Sequence, residues 1–173
     1  MNYFELFEIP PALKVDSRGL STRFFQLSRK YHPDYHAQAS EADQAEALER
    51  SAQLNKAYKT FQNPDATIKY MLELKGLLEA EEKYALDPSF LMEVMELNEA
   101  LMELQFEPDP EALQRAAQLN NELQTKIYQD VEPVIDHYQE GVTSEKELLQ
   151  VKEYYYRKKY LDRIAEKIRE LRG

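Results

Sequence analysis

The stretch from Leu20 to Asp34 reads LSTRFFQLSRKYHPD, and it decides the fold of the N-terminal part of the chain. Its apolar residues recur at intervals of four, three and four, which is the spacing of one helix face: Leu20, Phe24, Leu27 and Tyr31. Proline locks its own φ, lacks an amide donor and disfavours the helical region for the residue before it. The helix is therefore predicted to end at His32, with His32 and Asp34 displayed in a bend rather than buried.

Further helices are predicted around this one. Asp16 can cap its start, and a very short helix is expected at Tyr3–Phe7. After the bend, Ser40 and Asp43 form a variant of the capping box that opens a helix running to about Gln62. The expected apolar face of that helix is Leu48, Ala52, Asn55, Tyr58 and Phe61. The two longer helices would form an antiparallel hairpin with His32 at its tip.

A short fourth helix is expected to be capped by Asp65 and to stop at Gly76. Beyond it, Asp87-Pro88, Asp109-Pro110 and the Ser144/Glu147 capping box predict three more helix starts. These helices should cover about 88–105, 110–139 and 145–171, with Pro133 kinking the second or ending it early. Short loops make them antiparallel neighbours. The fold class is therefore all-α, with an N-terminal domain at 1–76, a connector at 77–87 and a three-helix bundle at 88–173.

The composition narrows the possible functions. The net charge of −10 argues against general nucleic-acid binding, because a phosphate backbone would be repelled. The absence of Cys excludes disulfides, thiolate zinc sites and cysteine-ligated iron–sulfur clusters, and 3 His leave little for metal chemistry. We therefore expect no cofactor and no metal. Without a basic leader or a run of roughly 20 apolar residues, the protein is expected to be cytoplasmic and not bound to a membrane.

The helix that starts at Pro88 carries more apolar residues than one packing face needs. Its core positions are spaced four, three, four and three: Phe90, Val94, Leu97, Leu101 and Leu104. Leu91, Met92, Met95 and Met102 are left over, beside Glu96, Glu99 and Glu103. In one interpretation Leu91, Met95 and Met102 merely widen the core face. In the other, the surplus forms an exposed apolar patch with an acidic edge, which is typical of a protein-binding site.

The last helix mixes aromatic and basic residues from Tyr154 to Tyr160, a pattern that also occurs where proteins stack on nucleic-acid bases. A simpler interpretation assigns the basic residues to a solvated face. The core side would then be Leu148, Val151, Tyr154 or Tyr155, Leu161, Ile164, Ile168 and Leu171. The acidic total favours this second interpretation, so we expect no nucleic-acid binding.

His-Pro-Asp alone is too short to assign a function, but other segments of the chain make the assignment more specific. They are Tyr3-Phe4-Glu5-Leu6-Phe7, the Leu54–Pro64 run, Ile68–Leu72, Phe90-Leu91-Met92-Glu93 and Lys159-Tyr160-Leu161-Asp162. Together these segments resemble a J-domain fused directly to a small helical bundle, as in the bacterial-type HscB family of J-type co-chaperones in iron–sulfur cluster assembly. There is no Gly/Phe-rich linker or cysteine zinc module of a general DnaJ. The chain departs from many J-domains by having Phe25 and Gln26 where they carry bases.

The resemblance implies a function that combines delivery with triggering. The C-terminal bundle would bind the cluster scaffold protein IscU, through Leu91, Met92, Met95, Glu96, Glu99 and, by resemblance alone, Tyr160. The N-terminal domain would bring IscU to HscA, a DnaK-type chaperone, and stimulate its ATP hydrolysis. The residues expected to contact HscA are His32, Pro33 and Asp34, with Arg23, Arg29 and Lys30 as steering cations.

Different classes of function compete with this one. His32 and Asp34 as a catalytic acid–base pair would need a pocket with further polar groups, and no nucleophile or ligand cluster accompanies them. The chain could instead be a structural helical adapter without a chaperone link, or a J-domain adapter for another client. We expect no enzyme but an activator of a partner's ATPase, which hydrolyses nothing on its own.

Overall fold

Seven α-helices and one short 3₁₀-helix make up the regular structure, which the computed structural model describes from Met1 to Gly173. They are α1 Tyr3–Leu6, α2 Ser17–Tyr31, the 3₁₀-helix Pro33–His36, α3 Glu41–Phe61, α4 Pro64–Leu74, α5 Pro88–Phe106, α6 Pro110–His137 and α7 Glu145–Arg172. The absence of strands confirms the all-α prediction. The chain divides into two compact units, Met1–Gly76 with Tyr138–Thr143, and Leu77–His137 with Ser144–Gly173.

In the first unit, α2 packs against α3 as the predicted hairpin. The core next to it is aromatic, with the ring centroids of Phe4 and Phe7 lying 5.1 and 5.4 Å from that of Phe61. Tyr70 stacks on Tyr3 at 4.3 Å, and its hydroxyl accepts the Tyr3 backbone N–H at 2.9 Å. Aromatic packing of this kind adds stability beyond the area that it buries, so it gives the short helix α1 a fixed place.

The predicted face of α3 was wrong in part. The residues that α3 buries are Ala47, Leu54, Ala57 and Phe61, whereas Leu48, Ala52 and Asn55 are exposed. The two stripes start one residue apart, about 100° around the helix, and small apolar residues occur on both. Contacts with α2 and α1 therefore select the buried stripe, and periodicity alone does not.

The helix starts follow the capping residues closely. Asp16, Asp87, Asp109 and Ser144 each accept a backbone N–H of the first turn that follows, as predicted. Asn63, rather than Asp65, caps α4, because Pro64 takes the first helical position and places Asn63 Oδ1 3.1 Å from the Ala66 N–H.

The second unit is a three-helix bundle of α5, α6 and α7. The α6 helix continues through Pro133 and ends at His137, four residues later. Pro133 removes only the backbone bond to Gln129, and both residues are exposed, so water can satisfy the freed carbonyl. None of the helices is long and apolar enough to cross a membrane.

Residues 77–87 are non-helical but packed within the second unit. Leu78 and Leu86 are buried, and Tyr84 stacks on Tyr156 with ring centroids 4.6 Å apart. Glu82 pairs with Lys152 at 2.6 Å, which lowers the pKa of the Glu82 carboxyl below its ordinary value. Burial, together with a hydrogen bond to Glu153, raises the pKa of Tyr84 to about 12. This segment is thus held by specific side-chain contacts along α7.

Candidate functional site

His32 has two structural roles at the tip of the hairpin. Its extended backbone, at φ −64° and ψ 132°, ends α2, as Pro33 requires. Its ring then caps the 3₁₀-helix, because Nδ1 accepts the Asp34 backbone N–H at 3.2 Å. Nδ1 also lies 3.6 Å from Asp34 Oδ2, beyond hydrogen-bond length, so the backbone bond decides the tautomer. A neutral ring that accepts through Nδ1 carries its proton on Nε2, which is left as the free donor.

The loop is also fastened to both of its flanking helices. His36 Nε2 donates to the Lys30 carbonyl at 2.8 Å, which satisfies one of the oxygens left open at the end of α2. Gln44 of α3 donates to the carbonyls of Ala37 and Ala39 at 3.2 and 2.9 Å. Because these bonds restrain the loop from both sides, His32 and Asp34 are presented in a defined arrangement.

The side chains of His32 and Asp34 are 47% and 88% exposed, as predicted for a displayed bend. They line an open groove with four neighbours, Phe25, Ser28, Arg29 and Tyr35. Ser28, His32 and Asp34 are the residue types of a catalytic triad, but triad chemistry needs Nδ1 to donate to the carboxylate, and here Nδ1 accepts a backbone N–H. The geometry therefore suits recognition by hydrogen bonds and charge better than acid–base catalysis.

The three cations expected near this loop differ in their surroundings. Arg29 lines the groove and makes no ion pair, whereas Arg23 lies outside it and contacts Glu8, with Nη1 and Oε2 3.4 Å apart. Lys30 is exposed, and its ammonium lies 5.4 Å from the Tyr31 ring centroid. Arg29 is thus the cation best placed to act with His32 and Asp34.

The surplus apolar residues of α5 do not belong to the bundle core. Phe90, Val94, Leu97 and Leu101 are buried, as the core spacing predicts. By contrast, Met92 and Met95 are 62% and 59% exposed, Met102 is equally exposed, and Leu91 is half-buried. The interpretation that the methionines merely widen the core is therefore wrong. Leu91, Met95 and Met102 lie within about 40° of each other around the helix and form one stripe. Phe106, at the end of α5, is 84% exposed and extends this stripe to about 60°.

The two edges of this stripe carry opposite charges. Glu96 and Glu99 are exposed on one side, as expected. On the other side, Asn98 accepts a hydrogen bond from Lys167 of α7 at 2.9 Å. Nearer the start of α5, the guanidinium of Arg157 lies 5.1 Å from the Phe90 ring centroid. Tyr160 lies between these two α7 contacts, so this half-buried residue is level with the part of α5 that carries Met92 and Met95.

The aromatic and basic stretch of α7 is engaged within the bundle. Tyr154 and Tyr155 are both buried, which settles the choice that the sequence left open. Arg157 pairs with Glu153 at 3.1 Å and Lys158 with Asp162 at 3.0 Å. The buried rings of Tyr154 and Tyr155 are therefore not free to stack on nucleic-acid bases. No group of three or more His, Cys, Asp or Glu side chains converges in a way that would hold a metal ion.

Similarity to known proteins identifies the family. A curated relative from Shewanella halifaxensis, described as a co-chaperone protein HscB homolog, is 38% identical over 149 residues, covering 80% of this chain and 84% of the relative. The chain belongs to the HscB family of co-chaperones. A family model described as the HSCB C-terminal oligomerisation domain matches residues 86–169. An HscB homolog from Vibrio vulnificus strain YJ016 is 42% identical over 113 residues, which cover 65% of this chain and 66% of that relative.

Solved HscB structures share the fold. Chaperone HscB from Vibrio cholerae matches with a TM-score of 0.71 and 31% identity, over 99% of this chain and 98% of that one. The crystal structure of human co-chaperone protein HscB matches with a TM-score of 0.74 and 29% identity, over 98% and 81% of the two chains. The HscB architecture, a J-domain followed by a helical bundle, thus covers nearly the whole chain.

Several residues at these candidate sites were not predicted from the sequence. His36 and Gln44 fix the loop through side-chain bonds to backbone carbonyls, which the apolar spacing and the capping pattern do not predict. Tyr35 follows the His-Pro-Asp directly, and its exposure depends on the 3₁₀ turn. Phe106 lies one residue beyond the predicted end of α5, and the stripe spacing of four from Met102 was the available signal.

Proposed function

We propose that this chain binds IscU through α5 and brings it to HscA, whose ATP hydrolysis it stimulates through the loop at His32. The observation that carries the proposal is the exposed His32–Asp34 pair, fixed by backbone bonds at the hairpin tip of an HscB-family chain. The proposal assigns the chaperone contact to residues 1–76 and the scaffold contact to 88–173, with 77–87 between them. It also places the activity in the cytoplasm.

Triggering requires that the loop bind one state of HscA better than the other. A ligand shifts a conformational equilibrium only by its difference in affinity for the two states. The Nε2–H of His32 and the Asp34 carboxylate offer directional contacts that a small movement in the partner can make or break. Pro33 fixes the backbone between them, so the two groups act as one rigid element.

Delivery requires a second surface that HscA does not use. The α5 patch, formed by Leu91, Met92, Met95 and the acids Glu96 and Glu99, supplies apolar contact area with a charged edge. Methionine side chains adapt to the shape of a partner, which suits a client that is held and then released. The acidic edge suits a basic surface on IscU.

The test is the ATPase rate of HscA, measured with this protein and IscU, separately and together. Under the proposal each addition alone gives partial stimulation at most, and the two together give more than the sum. The chain alone should hydrolyse no ATP. Stimulation that does not change when IscU is added would instead support a J-domain adapter for another client. The absence of any stimulation would reject the chaperone role.

A further inference from the structure

The exposed surface that α5 and α7 share, termed the α5/α7 face, carries its charges in a fixed order. An apolar stripe runs along its middle, formed by Leu91, Met95, Met102 and Phe106 of α5. The acidic edge, Glu96 and Glu99, borders the stripe on the side away from α7. The basic edge, Arg163 and Lys167 of α7, borders it on the other side. All four charged residues are exposed, and none makes an ion pair within the chain.

The basic edge is held in place by its neighbours. Lys167 Nζ donates to Asn98 Oδ1 of α5 at 2.9 Å, and the guanidinium of Arg163 lies 5.5 Å from the Tyr160 ring centroid. Tyr160, Arg163 and Lys167 lie within about 60° of each other around α7. Because this side of α7 contacts α5, the basic edge and the apolar stripe face the same solvent. A charge that is positioned before binding loses little side-chain entropy when a partner pairs with it.

The acidic and basic edges also lie at the same height along the bundle. Two contacts show that α5 and α7 run in the same direction, Arg157 with Phe90 and Lys167 with Asn98. Lys167 is therefore level with Glu99, and Arg163, about one turn earlier, is level with Glu96.

This order of charges makes the α5/α7 face complementary to itself. A rotation by 180° about an axis that is parallel to the helices and lies over the apolar stripe keeps every residue at its height and exchanges the two edges. It places the acidic edge of each copy opposite the basic edge of the other, with one stripe on the other stripe. A second copy of the chain thus covers the exposed methionines and supplies both sets of unpaired charges with partners.

The size of the face limits how strong this contact can be. Two helices about 10 Å apart and roughly 30 Å long present about 600 Å² on each copy. Burying about 1,200 Å² in total is the lower limit for a specific interface. The net charge of −10 on each copy also opposes association at a distance. The contact should therefore be weak and reversible.

We propose that two copies of this chain associate through the α5/α7 face, about a two-fold axis parallel to α5 and α7. The consequence rests on the proposed function, because the apolar stripe and the acidic edge are the surface assigned there to IscU. The second copy and IscU therefore compete for one surface. Self-association keeps the apolar stripe covered until IscU displaces the second copy.

The experiment is sedimentation equilibrium of the full chain over a range of concentrations, without IscU or HscA. The parent should show a monomer–dimer equilibrium. Glu96→Lys/Glu99→Lys and Arg163→Glu/Lys167→Glu each place like charges opposite one another in their own dimer, so each should weaken association by about tenfold or more. Net charge alone predicts the opposite for the first of these variants, because it is less negative than the parent.

Mixing the two charge-reversed variants gives the sharpest result. In a mixed dimer the lysines of the first variant face the glutamates introduced in the second, and the two unchanged edges face each other. An equimolar mixture should therefore recover the association of the parent. A mixture that stays monomeric would overturn the two-fold pairing.

Two controls reverse charges on other sides of the same helices. Glu93 lies roughly 160° around α5 from Met95, and Arg169 lies roughly 120–160° around α7 from the basic edge. Glu93→Lys and Arg169→Glu should leave the dimer dissociation constant unchanged. Circular dichroism melts should be the same for all of these variants, since every changed residue is exposed.

The competition is tested by adding IscU to the parent at a concentration where it is dimeric. Sedimentation should then show a complex with one copy of each protein. A complex that keeps two copies of this chain would overturn the shared surface. A parent that stays monomeric up to its solubility limit, or association that both charge-reversed variants retain, would overturn the dimer itself. The proposed function survives each of these results if the parent still binds IscU and stimulates HscA.

Discussion

The His32 loop and the α5 surface are built in opposite ways. The loop depends on single atoms, since His32 Nδ1, the Asp34 N–H and the fixed φ of Pro33 together set one arrangement. The α5 surface depends on area, because it consists of several flexible apolar side chains on the outer face of a helix whose other face forms the core. A site of the first kind should fail at one substitution, whereas a site of the second kind should weaken in steps.

The largest effect is expected from His32→Gln, which removes the aromatic ring and its Nε2–H. HscA stimulation should be abolished, because the amide cannot reproduce the geometry of a ring that caps Pro33–His36. Affinity for IscU and the circular dichroism spectrum should not change, since the residue is exposed. His137→Gln, at the exposed end of α6, is the matched control and should stimulate normally. A fully active His32→Gln protein would contradict the function proposed for the J-domain.

Truncating Leu91, Met92 and Met95 together to Ala should weaken IscU binding by several kcal/mol, as for interface anchors, with a small change in melting temperature. Each single truncation should account for part of the loss. The contrasting control is Leu101→Ala, which should cost about 2–5 kcal/mol of stability because that side chain is buried. Calorimetric titration beside thermal melts separates the two. A triple variant that melts early and binds normally would remove α5 from the client surface.

A smaller effect is expected when Glu96 and Glu99 are both changed to Lys. The exposed carboxylates should contribute roughly 1–2 kcal/mol together to recognition of a basic partner, and almost nothing to folding. Glu93→Lys makes the same charge change on another side of α5 and should have less effect. Titration with IscU at low and high salt measures both. Equal losses for the two sides of the helix would mean that net charge, not the patch, is recognised.

At the His32 loop, added salt should screen the neighbouring cations. Stimulation of HscA should weaken as ionic strength rises, because exposed charges steer encounter only within a Debye length of about 10 Å at 0.1 M. Arg29→Ala should reduce this salt dependence more than Arg23→Ala, since Arg23 already faces Glu8. The half-maximal concentration at several ionic strengths provides the measure. A response independent of salt would exclude these cations from the interface.

Binding by the α5 surface and stimulation by the His32 loop should not change when only the stability of the bundle core changes. Asn120 is buried in α6 with its Oδ1 unpaired, which costs free energy. Asn120→Leu should therefore raise the free energy of unfolding by about 1 kcal/mol, measured by denaturant titration. IscU affinity and HscA stimulation should stay the same, and tighter IscU binding would show that the core limits recognition.

Much of the fold could be predicted because its signals are local. Proline, the capping Asp and Ser residues and the apolar spacing act within a turn or two, so they located α2, α5 and α7 and the bend at His32. The error falls where the choice is not local: on α3, two apolar stripes compete and the packed neighbours decide. On α6, the helix continues past Pro133 for four residues, and Pro133 is exposed.

The properties of the His32 loop and of the α5 surface were also predictable only in part. The sequence by itself determined that His32 and Asp34 stand in an exposed bend and that α5 has more apolar residues than its core uses, because both follow from proline geometry and helical period. Only the tertiary structure decided which nitrogen of His32 is the donor, that Arg29 rather than Arg23 shares its groove, and that Phe25, Tyr35 and Phe106 are uncovered. Those properties depend on the three-dimensional course of the bend and on where its side chains point, and no apolar spacing along one helix encodes them.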